Sequence, residues 1–389
     1  MTCTAIHSFK VTYTLILSGL LTAGLLWGAT IQASAASGTF AVTGSLNTAR
    51  YDHTATLLPS GEVLVTGGLG VNGNYTSLAS AELYDPKKGR WTVTGSMSVG
   101  RTGLTATLLA NGLVLVAGGS DYQIRCYATA ELYNPATGQW TPTGSMSQPR
   151  CLHGATLLSN GDVLVSGGVN SLYDYSRPTV SGAEIYNPNT GTWTSTGSLN
   201  TSRASAATSL LQNGKVLTAA GYNNTGNNNP NTYLTSAEIY DPSTGQWSFT
   251  GSISGPVGLP ATPVLLTNGD VLIDNYAQFY DPNTGTWLAT GPLPTRTGPP
   301  SKLALLGNGN VLGTGCGCKS TKYYSCSGPT NVAYLYSFAG NSWSQTGSMN
   351  YARSSHTMTL LPSGEVLVTG GFEGGAYRTV LSTAELYTP

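Results

Sequence analysis

The sequence is short of charge. Lys and Arg together number 17 among 389 residues, Asp and Glu also number 17, and the formal net charge is zero. Charged residues make up only 9%, where a typical soluble chain has about a quarter. Without a basic excess, neither nucleic acid nor an anionic membrane surface is expected as the main partner. Helix is excluded on other grounds. The chain has 50 Gly and 20 Pro, which cost about 1 and about 3 kcal/mol in a helix interior. Beyond the N-terminal stretch, no apolar run reaches the ~18 residues of a membrane span. There is no Gly-x-Ser-x-Gly and no phosphate loop, so the common nucleophile and nucleotide motifs are missing. What is there is 40% hydrophobic, too much for disorder by composition.

The N-terminus reads as a secretory signal. Lys10 precedes an apolar stretch from Val11 to Ile31, and Ala33-Ser34-Ala35 follows as a small-residue cleavage pattern. Residues 1–35 are therefore expected to be a signal peptide cut after Ala35. The remaining domain, 36–389, is expected to be secreted and extracellular, with no membrane contact after cleavage.

The rest of the chain repeats itself. Val-Leu-x strands begin at Val63, Val114, Val163, Val216, Val271, Val311 and Val366, spaced by 51, 49, 53, 55, 40 and 55 residues. Each copy reads as four short strands. A Thr-Ala-Thr-Leu-Leu type strand such as Thr54 to Leu58 leads into an Asn-Gly or Ser-Gly turn, a hairpin signal because both residues tolerate positive φ. The Val-Leu-Val strand follows and ends in Gly-Gly, where backbones pack closely. After a loop of variable length come Ala-Glu-Leu-Tyr, an Asp/Asn-Pro-x-x-Gly turn, and a strand starting at a Trp. A period of about 50 with four strands per unit means a β-propeller. The expected fold is all-β: a seven-bladed propeller of four-stranded antiparallel blades. The last copy stops at Pro389 without its Trp strand, and residues 36–63 carry a surplus that opens with Gly38-Thr39-Phe40. The N-terminal segment should therefore supply the missing outer strand and close the ring.

The Gly-Gly pairs, the Tyr shortly before each Trp and the Arg opening most units (Arg50, Arg101, Arg150, Arg203, Arg296, Arg353) resemble the kelch-repeat family over nearly all of residues 38–389. A more distant resemblance is to the propeller of the galactose oxidase family, whose copper site sits on the loop face. That family places a Tyr-His pair before a Leu-Leu-Pro-x-Gly turn. Here Ser355-His356 stands before Leu360-Leu361-Pro362-Ser363-Gly364, so the His matches and the Tyr does not. Tyr51 resembles the family's cross-linked Tyr, but Cys151 is two copies away, and the family's final His, from an extra domain, has no counterpart. Copper-radical oxidation is not expected.

Five cysteines follow the signal region, and in a secreted chain they are expected to pair. Cys126, after the second strand of copy two, and Cys151, opening copy three, emerge on one face of adjacent blades and are the first choice. Cys326 is expected to pair with Cys318 or Cys316. The recurring Glu82, Glu131, Glu184, Glu238 and Glu385 read as structural partners of the recurring Arg. His53, His153 and His356 share one repeat position, Arg-x-x-His, and are expected near the channel mouth.

The most distinctive surface is the face bearing the loops after the second strands. It carries Tyr122, Arg125, Tyr173, Tyr175, Arg177, Tyr233, Tyr323, Tyr324, Tyr377 and Arg378. Tyr and Arg are favoured at recognition surfaces. With Tyr51 and the three His, these are the candidate ligand contacts. The reading that follows is a monomeric binding module for a saccharide or a surface protein, with no cofactor, no metal and no assigned catalytic residue. A carbohydrate-active enzyme of oxidase or epimerase type on the same face, or a structural, adhesive extracellular protein, are the alternatives.

Overall fold

The computed structural model describes residues 38–72, 74–121, 125–172, 178–226, 232–255, 262–273, 277–294, 300–315, 328–374 and 379–389. The chain divides into a unit of residues Met1–Ala36, outside the described residues, and a unit of residues Ser37–Pro389. Among the described residues there is no helix; seven four-stranded sheets hold the chain, each antiparallel throughout. We number the sheets as blades 1 to 7. Their inner strands are Thr54–Leu57, Thr102–Leu108, Gly154–Leu157, Ala207–Leu210, Pro263–Leu265, Lys302–Leu305 and Thr357–Leu360. Besides pairing with the second strand of its own blade, each inner strand packs against the inner strands of the next and the previous blade, and that of blade 7 returns to that of blade 1. The seven therefore surround the axis of a closed propeller.

Closure falls to the N-terminus. Thr39–Thr43 pairs with Ala384–Thr388 in the register Thr39↔Thr388 to Thr43↔Ala384 and is the outer strand of blade 7. Phe40 packs on Tyr387 with ring centroids 4.9 Å apart.

A single blade has no core of its own. In each second strand every residue is buried, as the continuous apolar runs imply, and successive side chains point to opposite neighbours. Val63 and Val65 pack with Leu367 and Ala384 of blade 7, while Leu64 packs with Val114 and Tyr133 of blade 2. The core is thus a ring of clusters between blades.

At the outer rim the repeated Tyr and Trp do the same work. Tyr84 and Trp91 stack at 5.0 Å, tilted by 44°. The Trp91 indole N–H donates to Gly44 O at 2.8 Å, and the Tyr84 hydroxyl lies 2.7 Å from Thr43 Oγ1, both on the preceding outer strand. The pattern recurs from blade to blade through Trp140–Gly95, Trp193–Gly144, Trp247–Gly197 and Trp287–Gly251. Gly44 is forced: a Cβ there would lie 2.3 Å from the Gly89 carbonyl oxygen. In blade 6 the Trp343 indole donates to Thr290 Oγ1 instead.

Deleting residues 38–45 removes both the outer strand of blade 7 and the Gly44 acceptor of blade 1. We expect the melting temperature to drop by more than about 5 °C, the equivalent of a few kcal/mol in a domain of this size. An unchanged thermal transition would show that the ring does not depend on this strand.

Candidate functional site

The loop face is built on a charged clamp repeated in five blades. Arg50 ion-pairs with Glu82 at 3.0 Å, Arg101 with Glu131 at 2.9 Å, Arg150 with Glu184 at 2.8 Å, Arg203 with Glu238 at 2.8 Å and Arg353 with Glu385 at 2.6 Å, every pair buried. The sequence had assigned these residues to each other, and the structure bears this out. Arg50 Nη1 donates to Gly67 O and Ser80 O, the two ends of the loop after the second strand. Glu82 accepts from the Asn47 and Thr48 backbone N–H groups, which belong to the link entering the blade. One ion pair thereby fixes the roots of both connections on this face. Burial pulls the guanidinium pKa of Arg50, Arg203 and Arg353 below its ordinary value, and the paired Glu partly restores it.

Two residues after each clamp Arg the backbone turns left-handed. Asp52, Leu152, Ser205 and Ser355 have φ of 51°, 55°, 54° and 52°, and blade 2 uses Gly103 at 61°. A non-glycine residue there costs of the order of 1 kcal/mol. Hydrogen bonds between blades hold the conformation: Asp52 N donates to Ser355 O, Leu152 N to Gly103 O and Ser205 N to Leu152 O. These residues rim the channel where the inner strands begin.

The next residue is the repeated His. His53 Nε2 lies 3.0 Å from Thr357 Oγ1, His153 Nε2 3.0 Å from Thr105 Oγ1, and His356 Nε2 2.8 Å from Thr314 Oγ1, in each case on the preceding blade. Each ring abuts the first glycine position of that blade: a Cβ on Gly370, Gly118 or Gly315 would lie 2.8 Å from the imidazole Cε1. The histidines are wedges in the 7/1, 2/3 and 6/7 seams. All are buried, and Nδ1 of each is without a hydrogen-bond partner. Desolvation, first, and nearby cations, second, hold them neutral. Arg150 acts on His153, whose pKa is lowered to about 3. Arg50, Lys302 and Arg353 act on His53, and Arg353, Lys302 and His53 on His356, both well below the ordinary range.

The candidate ligand contacts separate accordingly. Arg125 is exposed, next to the Cys126–Cys151 disulfide, which joins blades 2 and 3 across a Cα–Cα distance of 5.5 Å as the repeat geometry required. Tyr233 is 44% exposed on a short ribbon, Tyr222–Asn223 with Thr232–Tyr233. Similar ribbons, Leu69–Asn72 with Asn74–Ser77 and Phe372–Glu373 with Thr379–Val380, extend blades 1 and 7. Tyr51, His53, His153 and His356 are buried and offer no surface to a ligand. Tyr51 is wedged edge-on against Tyr75 and Phe372, with centroids 6.1 and 5.3 Å away. Tyr122, Tyr173, Tyr175, Arg177, Tyr323, Tyr324, Tyr377 and Arg378 lie outside the described residues, as do Cys316, Cys318 and Cys326. The sequence reading missed the left-handed rim and the Thr partners of the histidines. The recurrence of a residue two after each Arg was visible, but its φ was not.

A closed seven-bladed ring with this clamp defines the class of the protein, and the comparisons place it more narrowly. The family model described as the kelch motif matches residues 50–98, 102–147, 149–200 and 203–252, half of the chain. The chain belongs to the kelch-motif family. No curated protein matches it in sequence. Among solved structures it resembles a fungal alcohol oxidase of the AA5 family determined in complex with copper, at 18% identity and a TM-score of 0.67, over 91% of this chain and 76% of that one. That likeness is one of fold. The residues here do not fit a copper site. His356 spends Nε2 on Thr314 in a buried seam, Ser355 replaces the Tyr expected before it, and no three His, Cys, Asp or Glu among the described residues converge on a metal position.

Two predictions follow from the clamp and the wedges. Arg203→Met leaves Glu238 buried without its partner and should cost about 3–5 kcal/mol in chemical denaturation; the double change Arg203→Met with Glu238→Leu should recover much of it. For the histidines, the folded pKa lies below the unfolded value near 6.5. The unfolded chain therefore takes up protons first as pH falls. Stability is complete above about pH 6.5 and declines below it, towards about 3 for His153, at about 1.4 kcal/mol per pH unit for each His. His153→Gln should remove one such contribution. Identical pH slopes for variant and wild type would contradict the assignment.

Proposed function

We propose that this chain is a secreted interaction module that binds a partner protein through the loop face of its propeller. Kelch propellers serve protein interaction, and the family match brings that role to this chain. The observation that carries the reading is the contrast between the two faces. On one face the links are uniform short turns such as Leu58–Glu62 and Asp85–Gly89, closed by the same backbone bonds in blade after blade. On the other, a fixed clamp supports loops that differ in every blade, three of them extended as ribbons, and Arg125, Tyr233 and the 53%-exposed Val71 project from it. Variable loops on a rigid scaffold are where binding sites lie. Location outside the cytosol is supported by the Cys126–Cys151 disulfide and by the signal-like N-terminus. A saccharide ligand is the second reading, favoured by the exposed ring of Tyr233, since such a ring stacks on sugar faces.

The test is a screen of the protein comprising residues 36–389 against an extracellular-protein library and a glycan array, followed by mapping. Arg125→Ala with Tyr233→Ala should weaken binding of any hit at least tenfold, while Asn111→Ala and Asn213→Ala at turn-face positions should leave it unchanged. Loss of affinity from the turn-face changes alone would place the interface on the opposite face.

A further inference from the structure

The three histidine wedges are alike, but the seams they fill are held together differently. His53 fills the 7/1 seam and His356 the 6/7 seam, so both stand against blade 7, while His153 fills the 2/3 seam. The 2/3 seam is crossed by the Cys126–Cys151 disulfide. Blade 7 is instead the blade in which the ring is joined. Its outer strand, Thr39–Thr43, comes from the start of the chain and is held to Ala384–Thr388 by a hydrogen-bonded ladder. On the loop face the 7/1 seam is crossed by backbone bonds, Asp52 N to Ser355 O and Gly371 N to Arg50 O.

The two rings beside blade 7 are closed in by backbone. A Cβ on Gly370 of blade 7 would lie 2.8 Å from His53 Cε1, and one on Gly68 of blade 1 would lie 2.7 Å from His53 Cβ. His356 is gripped in the same way, by Gly315 of blade 6 at 2.8 Å from Cε1 and by Gly371 of its own blade at 3.1 Å from Cβ. Each ring spends Nε2 on a threonine hydroxyl and leaves Nδ1 buried without a hydrogen-bond partner. A proton added to such a ring creates an N–H with no acceptor and a charge withdrawn from water, and both are costly. The charged groups that act on the rings oppose that proton. They are Arg50, Lys302 and Arg353 at His53, and Arg353, Lys302 and His53 itself at His356. Glu82 and Glu385 are committed to Arg50 and Arg353, and the side chain of Asp52, next to His53 in the chain, is exposed. His153 has Arg150 as its cationic neighbour, and Arg150 is paired with Glu184.

We propose that blade 7 is an acid-operated gate: protonation of His53 and His356 releases it from blades 1 and 6, so that the ring opens at its joint while the disulfide-stapled side stays closed. In the open form both imidazoles reach water and keep the proton that the closed seams reject. Such rings take up protons from about pH 6.5 downwards. Each pH unit below that favours opening by up to about tenfold for one ring and about a hundredfold for the two. Tyr51 touches Tyr75 on the blade 1 ribbon and Phe372 on the blade 7 ribbon, so opening this seam also parts two ribbons of the loop face.

The test is hydrogen exchange read by mass spectrometry on the protein comprising residues 36–389, near neutrality and at about pH 5, with exchange times scaled for the intrinsic effect of pH on amide exchange. Peptides containing Val366–Thr369 and Ala384–Thr388 report on blade 7, and those containing Val163–Ser166 and Ala183–Asn187 on blade 3. We expect protection in blade 7 to fall at least about tenfold more than in blade 3 at the lower pH. His53→Gln with His356→Gln, whose amide nitrogens can keep the contacts to Thr357 and Thr314, should hold blade 7 closed at both pH values. His153→Gln should leave the blade 7 response as in the wild type. Equal losses in blades 3 and 7, no loss in blade 7, or an undiminished loss in the double variant overturns the proposal. If the double variant does not fold, His356→Gln alone decides: a smaller acid loss in blade 7 supports the gate, and a loss equal to that of the wild type overturns it.

Discussion

The buried Arg–Glu pair is the interaction on which the rest of this propeller depends. Two charges removed from water are tolerated only when each finds a counter-charge and its remaining hydrogen-bonding groups are used. The clamp meets most of this by drawing in backbone, with Nε of Arg101, Arg150, Arg203 and Arg353 left without a partner. Arg203 Nη1 takes the Ala220 and Ser236 carbonyls, and Glu238 takes the Asn200 and Thr201 amides. Desolvated charge thus forces the blade link and both ends of the adjoining loop into one arrangement. Specification of geometry, more than net stability, is what such a pair contributes here. Blades 5 and 6 show the converse. Gln278 stands in the Glu position of blade 5 and exchanges neutral hydrogen bonds with Ser254, and Tyr334 stands there in blade 6.

From the clamp the structure passes inward by single residues. The Arg fixes the link, the residue two further on turns left-handed and bonds to the neighbouring blade, and the third drops into the seam. What fills the seam depends on both blades. A His needs a glycine opposite its Cε1, as Gly118 faces His153, and a Thr within reach of Nε2. Blade 2 uses Leu104 against Gly67 and has no such hydrogen bond. Blade 7 has a neutral histidine in the seam on each side, and it is also the blade that the N-terminal strand completes. Two of the three acid-sensitive wedges therefore flank the blade where the ring is joined, while the third, His153, lies in the seam that the Cys126–Cys151 disulfide crosses.

Much of this could be read from the sequence, because repetition turns weak local signals into strong ones. A single Asn-Gly between apolar residues is a modest hint of a hairpin; five of them and two Ser-Gly at one register define the blade. The same logic gave closure by the N-terminal strand, the Arg–Glu pairing and the disulfide between adjacent loops. Features that depend on the exact approach of two blades were not legible. The sequence shows Arg-x-x-His three times, but not that a preceding glycine leaves a slot of imidazole size, and so it could not tell a wedge from a channel-mouth ligand.

The scarcity of charge takes on a different meaning once the structure is known. Of the few ionisable groups in the chain, ten are consumed by the five clamps. The surface that remains is made largely of Thr, Ser, Asn and backbone, with little long-range field to steer a partner. Recognition on such a surface has to come from shape, aromatic contact and short-range hydrogen bonds in the loops. An isolated charge then carries more information than it would on an ordinary protein, because little else competes with it.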